Sequence, residues 1–150
     1  MIGALIALAL AGALTIGWLR RRYLVVTVHG QSMLPTYQPG ERVIVRRTPP
    51  ESLHTGQVVV LSGFAPELAA DPINPSPRWI IKRVAAIPGD PIPRDTVPAL
   101  RTAPGTRVPA GRLVVLGDNP DHSHDSRHTG YLMTDRLFGV VLRKVEQRST

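Results

Sequence analysis

The stretch Trp79-Ile80-Ile81-Lys82-Arg83-Val84, running on through Ala85-Ala86-Ile87, decides the fold. It is rich in β-branched residues, lacks a helical period and stops at the turn Pro88-Gly89-Asp90, which is how a strand is composed and punctuated. Outward from it, five further runs read the same way: Tyr23–Val28, Arg42–Arg47, Gln57–Ser62, Leu113–Leu116 and Phe138–Val145. Turn formers bound them at Pro39-Gly40, His54-Thr55-Gly56 and Gly117-Asp118-Asn119. After residue 22 no segment sustains helical periodicity, and 15 prolines with 13 glycines argue against long helices there. The prediction is a mainly β domain over residues 23–150, an antiparallel coiled sheet or partly closed β-barrel. Residues 63–78 and 91–111, rich in Pro, Ala and polar side chains, are expected to be loops or small insertions, and no internal repeat is present.

The same run carries the chemistry. Of 18 Lys and Arg residues only two are lysine, and Lys82 is the one set among apolar neighbours, Ile80, Ile81 and Val84, which are expected to desolvate it if it turns inward. Arginine keeps its proton in a protein, whereas a desolvated lysine can lose it and become a base. Alternation puts only one of Lys82 and Arg83 inside the sheet. Upstream, Gln31-Ser32-Met33-Leu34-Pro35-Thr36 holds a serine in a Pro-punctuated turn just after a β-like run. A serine served by a neutral lysine is the pair a Ser-Lys hydrolase needs.

At the N-terminus, Ile2 to Leu19 contains no charged residue and Arg20-Arg21-Arg22 closes the run. As a helix this segment would extend about 27 Å, near the ~30 Å hydrocarbon thickness of a bilayer. Trp18 and Tyr23 fall where interfacial aromatics are expected. A cleavable signal peptide would put its basic residues first and a small-residue cleavage site last; here the basic cluster follows the apolar run. Residues 1–22 are therefore expected to be an uncleaved transmembrane helix with its basic flank.

Composition narrows the partners. With no cysteine there is no disulfide framework, thiolate metal site or cysteine nucleophile. A net charge of +7 favours anionic partners. Lipid headgroups are preferred over nucleic acid, because the arginine triplet abuts the apolar run and few aromatics are available for base stacking.

Three segments, in order, resemble bacterial type I signal peptidase (leader peptidase). They are Gly30-Gln31-Ser32-Met33-Leu34-Pro35-Thr36 with Pro39-Gly40-Glu41-Arg42-Val43, then Lys82-Arg83-Val84-Ala85-Ala86-Ile87-Pro88-Gly89-Asp90, then Leu116-Gly117-Asp118-Asn119-Pro120-Asp121-His122-Ser123-His124-Asp125-Ser126-Arg127 with Gly130 beyond. The resemblance implies a membrane-anchored serine endopeptidase that removes signal peptides from exported preproteins, cutting after small residues at −3 and −1. It implies Ser32 as nucleophile, Lys82 as general base, Ser123 as the hydroxyl that orients the lysine, and Asp125 and Arg127 as a structural brace. The backbone N–H of Ser32 is the expected oxyanion donor. No metal or organic cofactor is called for. Gly30 stands where some members carry a serine, Ala86 replaces a glycine of the second motif, and Gln57 replaces an Asp common before the Val58-Val59-Val60 strand. These departures bear on the subfamily and leave the Ser32/Lys82 pair intact. The short interval from Asp90 to Gly117 resembles a minimal, single-domain member, where larger relatives insert a second domain.

The resemblance also sets a conflict over topology. Three arginines on the C-terminal side of the apolar run would keep the remainder in the cytoplasm by the positive-inside rule. Preprotein cleavage requires residues 23–150 on the extracytoplasmic side of a single-pass anchor in the cell membrane. Either other topology signals dominate or the true start lies upstream.

Competing readings are a specialised Ser-Lys processing peptidase acting on a conjugative pilin or a single secreted peptide, and a catalytically idle membrane-bound binding module. A DNA-binding repressor with a Ser-Lys self-cleavage domain is excluded by the absence of a helix-turn-helix region. His122, His124 and His128 with Asp121 and Asp125 invite a metal hypothesis; the resemblance already assigns Asp125, so the expectation is no metal. Ser126 is expected to be a turn residue bonding to backbone, and the Pro88-Gly89-Asp90 and Gly117-Asp118-Asn119 turns to shape the site without entering the chemistry.

Overall fold

In a computed structural model, the structure describes residues 2–63 and 79–145, without the side chains of residues 2–5 and 7. The loop expected at 63–78 lies, from residue 64 onward, outside the described residues, as does the tail from residue 146. The elements are α1 (Ile2–Arg22), β1 (Tyr23–Thr27), β2 (Arg42–Arg47), β3 (Val58–Ser62), β4 (Trp79–Ala86), β5 (Arg112–Leu116), α2 (Ser126–Thr129), β6 (Leu132–Met133) and β7 (Leu137–Lys144). All strand pairings are antiparallel. They build one curled seven-stranded sheet in the order β1-β2-β7-β3-β4-β5-β6.

The uncharged N-terminal run does form a helix, and Arg22 lies over the Trp18 ring at 5.3 Å. The structure shows this helix and does not establish that it crosses a membrane. Among the described residues no helix is long and apolar enough to cross a membrane.

The apolar run Val58-Val59-Val60-Leu61 becomes the middle strand of the sheet and is buried on both faces. Val58 and Val60 pack with Val26, Met33, Val43, Val45, Ile81 and Val141 on one side. Val59 and Leu61 pack with Val84, Leu113, Val115, Leu132 and Val140 on the other. Each fully buried valine or leucine contributes about 1.5–3 kcal/mol of transfer free energy, so this strand is the thermodynamic centre of the fold.

β4 lies beside it with Lys82 opposite Val59 and Arg83 opposite Val58. Because strand side chains alternate, Lys82 shares a face with Ile80 and Val84, both packed into the second cluster, while Ile81 belongs to the first. The apolar setting expected from Ile80, Ile81 and Val84 thus comes from two of the three. Alternation also sorts the neighbouring cations: Lys82 is 5% exposed and the Arg83 side chain 36%.

The 91–111 segment is more ordered than its composition suggests. Gly89 N–H donates to Val108 O at 2.9 Å, Val108 N–H to Asp90 O at 2.8 Å and Ile92 N–H to Thr106 O at 3.1 Å, closing the base of a lobe. Ile92, Val97, Leu100 and Val108 form a third cluster with Ala86 of β4 and Val114 of β5. β6 was not anticipated either; its two residues pair with Arg112 and Leu113 at the edge of the sheet.

Candidate active site

Lys82 projects from the middle of β4 and is almost fully buried. Its Nζ donates to Ser123 Oγ at 3.1 Å. Ser123 Oγ in turn donates to Asp125 Oδ2 at 2.6 Å. Both Ser123 (6% exposed) and Asp125 (4%) are buried. Burial is the main influence on Lys82: it drives the amine below its ordinary range, against the pull of nearby Asp125 and with the help of Arg127.

Asp125 is buried and yet stays anionic. Burial alone would push its carboxyl up. The Gly117 N–H (2.8 Å to Oδ2), the Ser123 hydroxyl, the Arg127 N–H (3.0 Å to Oδ1) and the Arg127 guanidinium (2.9 Å) outweigh that and hold it below the usual carboxylate range. Arg127 also donates from Nη2 to Gly117 O at 3.2 Å. Locally, Asp125 is the N-cap of the one-turn helix α2, its side chain accepting from Arg127 N–H. Ser126 is fully buried, and its Oγ accepts from Val115 N–H at 3.0 Å. That bond pins α2 to β5, the backbone-bonding role expected for Ser126.

Ser32 sits in the turn after β1, half-buried, with Met33 beside it anchored at 1% exposure in the first cluster. Asn119 holds that turn from the third motif: its N–H donates to Ser32 O and its Nδ2 to Gln31 O, both at 3.0 Å. Gly117 lies between the two serines. A Cβ built there would fall on the Ser123 side chain and 2.6 Å from Ser32 O. The residues from Gly117 to Ser123 therefore touch the Ser32 turn on one side and Lys82 on the other. Among the described residues Ser32 Oγ makes no hydrogen bond, to Lys82 or to any other group, and Ser32 N–H is likewise unpaired.

A second network was invisible in the sequence. Arg83, projecting opposite Lys82, grips Asp118 with Nε on Oδ1 at 2.8 Å and Nη2 on Oδ2 at 2.6 Å. Thr36 Oγ1 donates to Asp118 Oδ2 at 2.6 Å, and Arg83 Nη1 donates to Gly56 O at 2.9 Å. The Arg83 fork, followed by the Thr36 hydroxyl, holds the Asp118 carboxyl below its ordinary range despite partial burial. One carboxylate so joins the serine turn, the lysine strand and the third motif. The Gly117-Asp118-Asn119 turn shapes the site, as expected, but through an ion pair rather than through turn geometry alone. The advance signal was that Thr36, Arg83 and Asp118 each lie inside one of the three motif segments.

The histidines take no part in this array. His124 and His128 stack with ring centroids 5.0 Å apart, and among the described residues no group of three or more ligand side chains could hold a metal.

The family described as signal peptidase, peptidase S26, matches residues 2–98 and 94–145. Among curated proteins the chain has no significant match. The family match spans nearly the whole chain, and all three motif segments lie inside it. The chain belongs to the signal peptidase family, peptidase S26, and is a serine peptidase.

Proposed function

We propose that this chain cleaves signal peptides from exported preproteins with Ser32 as nucleophile and Lys82 as general base. The observation that carries the reading is a buried lysine amine on the Ser123 hydroxyl, reached by the same loop that holds the Ser32 turn. Neutral Lys82 accepts the Ser32 proton as Oγ attacks the scissile carbonyl carbon. The carbonyl oxygen becomes the oxyanion, for which the unpaired Ser32 N–H is an available donor. The Lys82 ammonium then protonates the departing amine, leaving the signal peptide as an ester on Ser32. A water that gives its proton to Lys82 attacks that ester, and the ammonium returns a proton to Ser32 Oγ. Absence of a Ser32–Lys82 hydrogen bond in the free enzyme is compatible with this, because catalytic hydrogen bonds commonly tighten only when substrate binds.

Residues 1–22 act in this reading as a single membrane anchor and residues 23–150 as the catalytic domain on the extracytoplasmic side. Supporting it, the described side chains Leu8, Leu10, Leu14 and Ile16 of α1 are exposed and unpaired with any core, and Arg20–Arg22 stand where lipid headgroups would meet them. Substrates are signal peptides with small residues at −1 and −3. The test is cleavage of a preprotein carrying an Ala-x-Ala site by the detergent-solubilised protein. Wild type should cut once after the second alanine, and Ser32→Ala should not cut at all. A folded Ser32→Ala that still cleaves would remove Ser32 from the chemistry.

A further inference from the structure

The lobe at residues 89–111 ends on the active-site array rather than on solvent. Its 3-10 turn Pro98–Leu100 packs on α2, and Leu100 is 3% exposed in the third cluster. The contact is close: a Cβ on Gly130, at the C-terminal end of α2, would lie 3.2 Å from Leu100 Cδ2. Gly130 has φ +73, a left-handed conformation that suits glycine, so the helix ends where Leu100 needs room. At its other end α2 is capped by Asp125, the carboxylate that holds Ser123. The cluster reaches the site by two further routes. Ala86 lies on β4 one turn of alternation beyond Lys82 and Val84, and Leu116, packed against the cluster, immediately precedes Gly117.

We propose that Leu100, and through it the 89–111 lobe, is a positioning element that sets α2 and so holds the Ser123 hydroxyl on the Lys82 amine. The lobe is itself stiffened from within. Arg94 Nη2 donates to Ala103 O at 2.8 Å and to Gly105 O, and Arg107 Nη1 donates to Gly89 O at 2.6 Å. Leu100 touches no reacting atom and acts through α2. The inference rests on the reading of Lys82 as the base. Loosening α2 would free Ser123 and admit water beside Lys82, and since burial is what depresses that amine, the base would titrate nearer to free lysine.

The experiment uses the full chain in detergent with the Ala-x-Ala preprotein and compares wild type, Leu100→Ala, Leu100→Met, Arg94→Ala and Ser32→Ala. Leu100→Ala should lower kcat about tenfold with little change in KM, as a misplaced catalytic group does, and should move the rising limb of the pH–rate profile to higher pH. Leu100→Met should restore rate and limb together, and Arg94→Ala should shift both in the same direction by less. A folded Leu100→Ala with wild-type kcat and limb, alongside an inactive Ser32→Ala, overturns the positioning role and leaves the dyad standing. An active Ser32→Ala overturns both. Should Leu100→Ala not fold, a wild-type limb in Arg94→Ala overturns the proposal, and a shifted limb in Arg94→Ala sustains it.

Discussion

Ser123 can only accept from Lys82. Its hydroxyl has one proton, and that proton lies on Asp125 Oδ2 at 2.6 Å, so at 3.1 Å from Nζ the oxygen receives an N–H of the amine. A neutral amine that donates one N–H to Ser123 keeps its lone pair for another partner. Asp125 thereby dictates which way the lone pair of a neutral Lys82 faces without touching the amine. Were Asp125 unable to accept, Ser123 could turn its proton onto the lysine lone pair and block it.

Ser123→Ala should accordingly retain the fold and reduce kcat by about 10–100-fold, the cost of an unoriented but still present base. The loss should be smaller than that of Ser32→Ala or Lys82→Ala, each of which removes half of a unit that works only as a pair. An unaltered rate in Ser123→Ala would detach this serine from the lysine.

Gly117→Ala tests the closeness of the two serines. The added methyl has no room between the Ser123 side chain and Ser32 O, and one of those neighbours is backbone. Activity should fall by about 10²-fold or more, as expected when a reacting group is displaced by an ångström, with a lowered melting temperature. Wild-type turnover would mean that the Ser32 turn stands away from the third motif.

Asp118→Asn should weaken the Arg83 fork and the Thr36 bond together. Since the Arg83 side chain is 36% exposed, solvent screening limits the loss to about 1–2 kcal/mol of stability. Thr36→Val should lose a smaller part of the same energy. Denaturant unfolding of both and of the double variant measures the coupling; strictly additive losses would show that Thr36 and Asp118 do not act through one bond.

Stability should fall on acidification below about pH 4, because Asp118 and Asp125 are both held below their ordinary range. A depressed carboxylate adds stability above its unfolded pKa of about 3.9 and loses it as pH falls through the lower folded value. Lys82 has the same sign at the alkaline end. Its folded pKa is lowered, so its burial costs stability at neutral pH and that cost disappears as pH rises toward the unfolded value of about 10.4. Lys82→Met should therefore be more stable than wild type near pH 7, with the difference closing in alkali. An equal difference at both pH values would argue that the amine is not desolvated.

Much of this was legible because strands announce themselves locally. Val58-Val59-Val60-Leu61 and Trp79–Ala86 carry their own patterns, and every expected strand lies within one residue of the observed bounds at each end. β6 escaped because two residues, Leu132 and Met133, are too short to show any alternation. The setting of Lys82 was half legible: alternation predicted that one of Lys82 and Arg83 turns inward, but adjacency wrongly enlisted Ile81, which faces the opposite cluster. The Asp118–Arg83–Thr36 network joins three distant segments, so no local pattern could announce it. The 91–111 lobe was read as loop because its prolines and polar residues mask four buried apolar side chains with no regular period.

The most direct measurement is the pH–rate profile of Lys82→Arg beside that of wild type, with the folded state of each confirmed. If residue 82 serves only as a positive charge, arginine should substitute, and the variant should run near the wild-type rate. If it is the general base, guanidinium cannot lose its proton at any workable pH and cleavage should disappear. Wild-type kcat should rise with pH through a single group titrating well below the ~10.4 of free lysine. Loss of activity in Lys82→Arg together with that depressed titration is the result expected. A folded Lys82→Arg that cleaves at the wild-type rate, or a wild-type profile with no such group, would contradict the assignment of Lys82 as the base.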